Sequence, residues 1–119
     1  LSAFLCILGL QNGAHMPTSG WTQCLSPIVR EIVCIDPADL RIEVPTNVTY
    51  HKMKSQEYPP YLRKQLQLTE EEQLPQSFDL ITSDINETPQ IVLDYLDPIM
   101  PLVKPNGYLV GSSVLAHSP

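Results

Sequence analysis

Short apolar runs recur along the chain, separated by polar and proline-containing segments, and their lengths and periods predict an alternation of strands and helices. Residues 3–10 are continuously apolar and end at "QNG", which predicts a buried strand. Residues 20–29 place Trp21, Cys24, Leu25 and Ile28 at helical spacing, with Pro27 shortening or kinking that helix. "EIVCID" (31–36) predicts a second buried strand, and the alternating "NVTYHKM" (47–53) a third. "YPPYLRKQLQLTEEEQL" (58–74) reads as a solvated helix and loop, with Pro59 and Pro60 at the helix start and "TEEEQ" on a solvated helix face. "SFDLITSDI" (77–85) predicts a fourth strand ending in an acid. In "TPQIVLDYLDPIMPLVKP", Thr88 suits an N-cap and Pro89 the first helical position, with Ile91, Leu93, Leu96 and Ile99 as the apolar face. "NG" at 106–107 then turns the chain into "YLVGSSVL", the fifth strand.

Apolar strands alternating with helices predict a parallel sheet covered on both faces. The expected fold is an open, doubly wound α/β domain over residues 1–119, truncated after the fifth strand and part of a longer chain.

Composition changes this picture little. With 119 residues, 43% of them hydrophobic and 17% charged, the chain suits one ordinary globular domain. The net charge of −6 argues against broad attraction to a phosphate backbone, leaving RNA to a local patch or a partner domain. Cys6, Cys24 and Cys34 have no CxxC spacing and read as buried free thiols in a reduced, intracellular and cytoplasmic setting. "LSAFLCILGL" is too short to span a membrane and lacks a basic leader, so no membrane association is expected. The sequons "NVT" and "NET" then read as chance matches.

In open α/β sheets ligands bind beyond the carboxyl ends of the strands, which selects a few residues here. The loop 11–20 leads into the first expected helix, and Gly13 and Gly20 would allow a polar cofactor group to approach its backbone. Asp36 closes the second strand, where an acid accepts hydrogen bonds from ribose hydroxyls or caps "PADL". Asp39 reads as exposed or capping. Asp84 closes the fourth strand, where it would orient a substrate hydroxyl, exchange a proton, or form a turn before "NETP". His15, His51 and His117 are scattered, so no metal site is expected, and neither a Gly-x-Ser-x-Gly elbow nor a Walker loop occurs.

"GAHMPTSGWTQCL", "EIVCIDPADL" and "FDLITSDINETP…LVKPNGYLVGSSVL" together resemble the class I S-adenosylmethionine-dependent methyltransferases, and within them the FtsJ-like RNA ribose 2′-O-methyltransferases. That family carries a Gly-Ala-x-Pro-Gly-Gly-Trp-type loop, against which Gly13, Ala14, Pro17, Gly20, Trp21 and Thr22 match in order. The resemblance covers residues 3–115. It implies a Rossmann-like fold of the methyltransferase type, with S-adenosyl-L-methionine held by Gly13, Ala14, Gly20, Trp21, Asp36, Met53 and Asp84. Asp36 would take the ribose, Met53 and Lys54 would flank the adenine, and Asp84 would be the catalytic acid facing an RNA ribose.

Three positions depart from the family pattern. Gln11 and Asn12 stand where an acid usually ends the first strand, and Thr18 and Ser19 replace paired glycines. Ser112 or Ser113 occupies the place of the fifth-strand lysine, and neither can supply its charge. The family sheet also continues for two more strands, which implies a missing segment or partner chain over strand five. Two functional readings follow. One is a methyltransferase acting on RNA; the other is an inactive methyltransferase-like binding or scaffold domain of a larger or viral protein. A nicotinamide-dependent enzyme is a third, disfavoured because the GxGxxG fingerprint is incomplete.

Overall fold

The computed structural model describes residues 3–8, 26–37, 39, 43–84 and 88–111. They form five parallel strands in one sheet, flanked by two α-helices and two 3₁₀ segments. The strands are β1 (Ala3–Leu8), β2 (Glu31–Asp36), β3 (Val48–Lys52), β4 (Phe78–Asp84) and β5 (Val103–Gly111). The helices are α1 (Tyr58–Leu66) and α2 (Pro89–Leu96), and the 3₁₀ segments are Ser55–Glu57 and Asp97–Leu102. The sheet order is β3-β2-β1-β4-β5, so the chain winds outward from β1 first one way and then the other. All five expected strands are present in parallel pairing, but β5 begins at Val103, ahead of the "NG" expected to precede it, and residues 112–115 of its expected range lie outside the described residues.

Side chains alternate across a strand, which divides the core into two layers. One layer holds Val33 and Ile35 of β2, Ile81 of β4, Tyr58 of α1, and Val92, Tyr95 and Leu96 of α2. Both helices therefore cover the same face. The other layer holds Ile32, Cys34 and Val48 with Val29, and Val44, Tyr50 and Leu80 pack against it. Cys34 is buried in this layer, at 0% exposure.

α1 begins with Pro59 and Pro60 in its first turn, where a missing N–H costs no helical bond. It ends at Gln67, whose left-handed backbone (φ 57°) lets the Leu68 amide donate back to the Arg63 carbonyl at 2.8 Å. The Arg63 guanidinium then donates to the carbonyls of Thr69 (2.8 Å) and Glu72, and the Glu72 carboxylate accepts from the Thr69 amide at 3.1 Å. These bonds fold "TEEEQ" into a turn, correcting the expected solvated helix face.

Thr88 occupies the N-cap of α2 and Pro89 its first turn, as expected, though Thr88 makes no side-chain cap bond. The expected apolar face is half wrong. Val92, Tyr95, Leu96 and Ile99 are buried, whereas Ile91 and Leu93 are exposed. The Ser55 hydroxyl donates to the Tyr95 carbonyl at 2.6 Å, tying the segment after β3 to the end of α2. Of the helix expected over 20–29, residues 20–25 lie outside the described residues. Residues 26–30 form a turn, with Ile28 71% exposed rather than on an apolar face. Pro27 accounts for this, since it has no N–H to give a helix. Among the described residues no helix is long and apolar enough to cross a membrane.

Candidate functional site

Strand register builds the carboxyl edge of the sheet. Ile7 of β1 pairs with Ile35, Leu8 pairs with Asp84, and Asp36 pairs with Lys52. Asp84, Leu8, Asp36 and Lys52 thus lie in one transverse row across β4, β1, β2 and β3. With strands about 4.8 Å apart, the Asp36 and Asp84 backbones stand about 10 Å from one another across β1. The strand order reverses between β1 and β4, and a crevice at the carboxyl edge of such a reversal is where open α/β sheets take ligands.

Asp36 is 1% exposed, and alternation puts its side chain on the face of Cys34 and Tyr50. Its carbonyl accepts from the Met53 amide at 3.1 Å and from the Tyr50 hydroxyl at 3.4 Å. Burial, then the negative charge of Asp36, with Cys34 and Asp39 contributing, raises the Tyr50 phenol well above its ordinary value. Tyr50 is therefore a neutral hydroxyl at physiological pH and can donate a hydrogen bond at this corner. Lys52 pairs with Asp39, which is exposed as the sequence suggested, and such a surface pair adds little stability.

The expected site residues separate into three groups. Asp36 and Asp84 are brought to one edge. Met53 reaches that edge with its backbone, while its half-buried side chain packs into the layer under α1 and α2. Gly13, Ala14, Gly20 and Trp21 lie outside the described residues, as do Ser112 and Ser113.

Three side chains at or just beneath this edge escaped sequence reasoning. Lys52 is set beside Asp36 by register alone. Tyr50 reaches Asp36 through a pairing of two strands whose alignment no local pattern reveals. Thr82 of β4 is 1% exposed, two residues inside Asp84 and on the face that Asp36 occupies. Its hydroxyl has no hydrogen-bond partner among the described residues. Burying an unpaired hydroxyl costs about 1–3 kcal/mol, which makes Thr82 the least satisfied polar group of the described core. Its register partner Cys6 also pairs with Cys34, so Cys34, Cys6 and Thr82 form a row two residues beneath the edge.

On the opposite face, His51 packs its ring 5.1 Å from Tyr61 and 5.6 Å from Tyr58. Burial, followed by the charge of Glu31 and the proximity of Tyr61, raises the Tyr58 phenol to about 12, so it takes no part in proton transfer near neutrality. Burial lowers the His51 pKa below its ordinary 6.5, because the imidazolium loses hydration there. The unfolded chain then takes up the proton first as pH falls. Stability held above about pH 6.5 should decline on acidification through that value towards the lower folded pKa. Urea unfolding of the native chain and His51→Phe between about pH 7.5 and 5 checks this. The native chain should lose more stability over that interval than the variant, which keeps the ring packing without the titration.

Among the described residues no group of three or more His, Cys, Asp or Glu side chains is arranged to hold a metal ion. No family model matches the chain, and neither a curated protein nor a solved structure does.

Proposed function

We propose that the chain is a Rossmann-like domain of the methyltransferase type that binds S-adenosyl-L-methionine, with an RNA ribose 2′-hydroxyl as methyl acceptor. The observation that carries the reading is the placement of Asp36: a buried carboxylate closing β2, level with the end of β1 and beside the reversal of strand order. The residues present fit the cofactor's nucleoside. A carboxylate accepts from both hydroxyls of a ribose, and it does so more strongly in a dry setting than in water. The Tyr50 hydroxyl and the Met53 backbone flank the same corner. Because Asp36 is covered, binding must displace the groups that cover it.

When bound, the cofactor would supply an electrophilic methyl group. The part of this chain is to hold the nucleoside at Asp36 and to set Asp84 on the far side of β1, at the edge where an acceptor hydroxyl would be oriented. An intracellular setting belongs to the same reading, since a buried cysteine outside any disulfide, as Cys34 is, suits a reducing compartment. Ser112 and Ser113, in the positions of the family's lysine, favour a second reading in which the domain binds the cofactor without transferring the methyl group.

Isothermal titration calorimetry with S-adenosylmethionine and S-adenosylhomocysteine tests the proposal. The native chain should bind in the micromolar range, and Asp36→Ala should bind at least about ten-fold more weakly, about 1.4 kcal/mol. Asp36→Asn, which keeps the volume, guards against a variant that fails to fold. Absence of heat with the native chain would overturn the reading. With binding in hand, a 2′-O-methylated product from an RNA oligonucleotide separates the enzyme from the binding module.

A further inference from the structure

We infer that the Thr82 hydroxyl is a ligand contact in the floor of this site, hydrogen-bonded to the amino-acid end of the bound cofactor. The inference rests on the S-adenosylmethionine reading above and assigns a residue that the resemblance does not.

Thr82 is 1% exposed, and its hydroxyl has no hydrogen-bond partner among the described residues. Packing alone does not call for that oxygen. A valine of nearly the same shape would fill the position, suit a central strand and leave no polar atom unpaired. β4 lies between β1 and β5, and Thr82 pairs with Cys6 on one side and Val110 on the other. An orphaned hydroxyl therefore sits on an interior strand of the sheet, about 7 Å inside the carboxyl edge.

Its place along that edge selects the part of the ligand it meets. Running across the sheet, the order is β3 with Lys52, β2 with Asp36, β1, then β4 with Thr82 and Asp84. A ribose held at Asp36 leaves the rest of the molecule to cross β1. Two strand spacings, about 10 Å, bring the far end over β4. That end carries an ammonium and a carboxylate. A hydroxyl both donates and accepts, so it can pair with either without adding a charge of its own.

Three proteins and two ligands test this: the native chain, Thr82→Val and Thr82→Ser, each titrated with S-adenosylhomocysteine and with 5′-methylthioadenosine, which lacks the amino-acid end. Thermal unfolding without ligand accompanies each titration. Thr82→Val should unfold at or above the native temperature yet bind S-adenosylhomocysteine at least ten-fold more weakly. Its affinity for 5′-methylthioadenosine should stay within two-fold of native, and Thr82→Ser should retain both affinities. Equal binding of S-adenosylhomocysteine by Thr82→Val and the native chain would overturn the inference while leaving the cofactor reading intact. An equal loss for both ligands would overturn the assignment to the amino-acid end. A native chain that binds neither ligand overturns both the inference and the reading beneath it. Should Thr82→Val not unfold cooperatively, Thr82→Ala is read in the same way.

Discussion

Ile99→Ala is expected to lower the unfolding free energy by about 2–5 kcal/mol, while Leu93→Ala changes it by no more than about 0.5 kcal/mol. Ile99 is 0% exposed among Val92, Tyr95, Leu96 and Leu102, so truncation removes apolar contact and leaves a cavity that rigid neighbours fill only in part. Leu93 is 44% exposed, and alanine there gives up little buried surface while favouring the helix. Urea unfolding with a shared m-value measures both, as a lowered midpoint for the first and an unchanged one for the second. Comparable losses for the two variants would mean that α2 packs through another face.

The same pair explains what the sequence made legible and what it concealed. The segment "IVLDYLDPI" is apolar enough to satisfy several stripes at once. An apolar reading by letter alone selects Ile91 and Leu93, whose spacing cannot keep both on one helical face. The buried positions follow the α-helical period through Val92, Tyr95 and Leu96, and that stripe includes a tyrosine with a polar tip. The helix then gives way to a 3₁₀ segment over Asp97–Leu102, with Pro98 in its first turn. There the period shortens to three, and Leu96, Ile99 and Leu102 stack on one side. A change of period inside one apolar run is invisible unless the proline is given its full weight. The strands were easier, because continuous β-branched runs between turn signals admit few other readings.

The candidate site divides along a similar line. Asp36 and Asp84 could be picked out because each closes an apolar run, which is a local property. Thr82, Tyr50 and Lys52 could not, because their relation to the edge depends on register between strands far apart in sequence. Thr82 offers an added obstacle. Threonine is an ordinary strand residue, and only the packed structure reveals that its hydroxyl is unpaired.

Gly107→Ala is expected to cost about 1–3 kcal/mol and to disturb the site's edge as well as the fold. "NG" does turn the chain, but inside β5 rather than ahead of it. Phe78 pairs with Val103 and Leu80 with Tyr108, so β5 advances five residues where β4 advances two, and Lys104–Gly107 loop out between the paired positions. Asn106 takes the left-handed backbone this requires (φ 67°), a conformation asparagine tolerates better than most residues. A Cβ on Gly107 would meet Val103 Cγ2 at 2.8 Å and the carbonyl oxygens of Asp79 and Lys104 at 2.9 Å. Two of these three are backbone atoms held by the strand pairing and cannot swing aside. The Lys104–Asp79 ion pair at 3.4 Å sits at the same irregularity and is half-exposed, so it offers little to offset the clash. Relief must come from the strand itself. Beyond the loop, β5 sets Val110 beside Thr82 and Gly111 beside Ser83, so a shift of β5 moves the wall next to the proposed ligand contact. Gly107→Ala should therefore show a lower urea midpoint and weaker S-adenosylhomocysteine binding together. Weaker binding without loss of stability would place Gly107 at the ligand, whereas loss of stability with unchanged binding would separate β5 from the site.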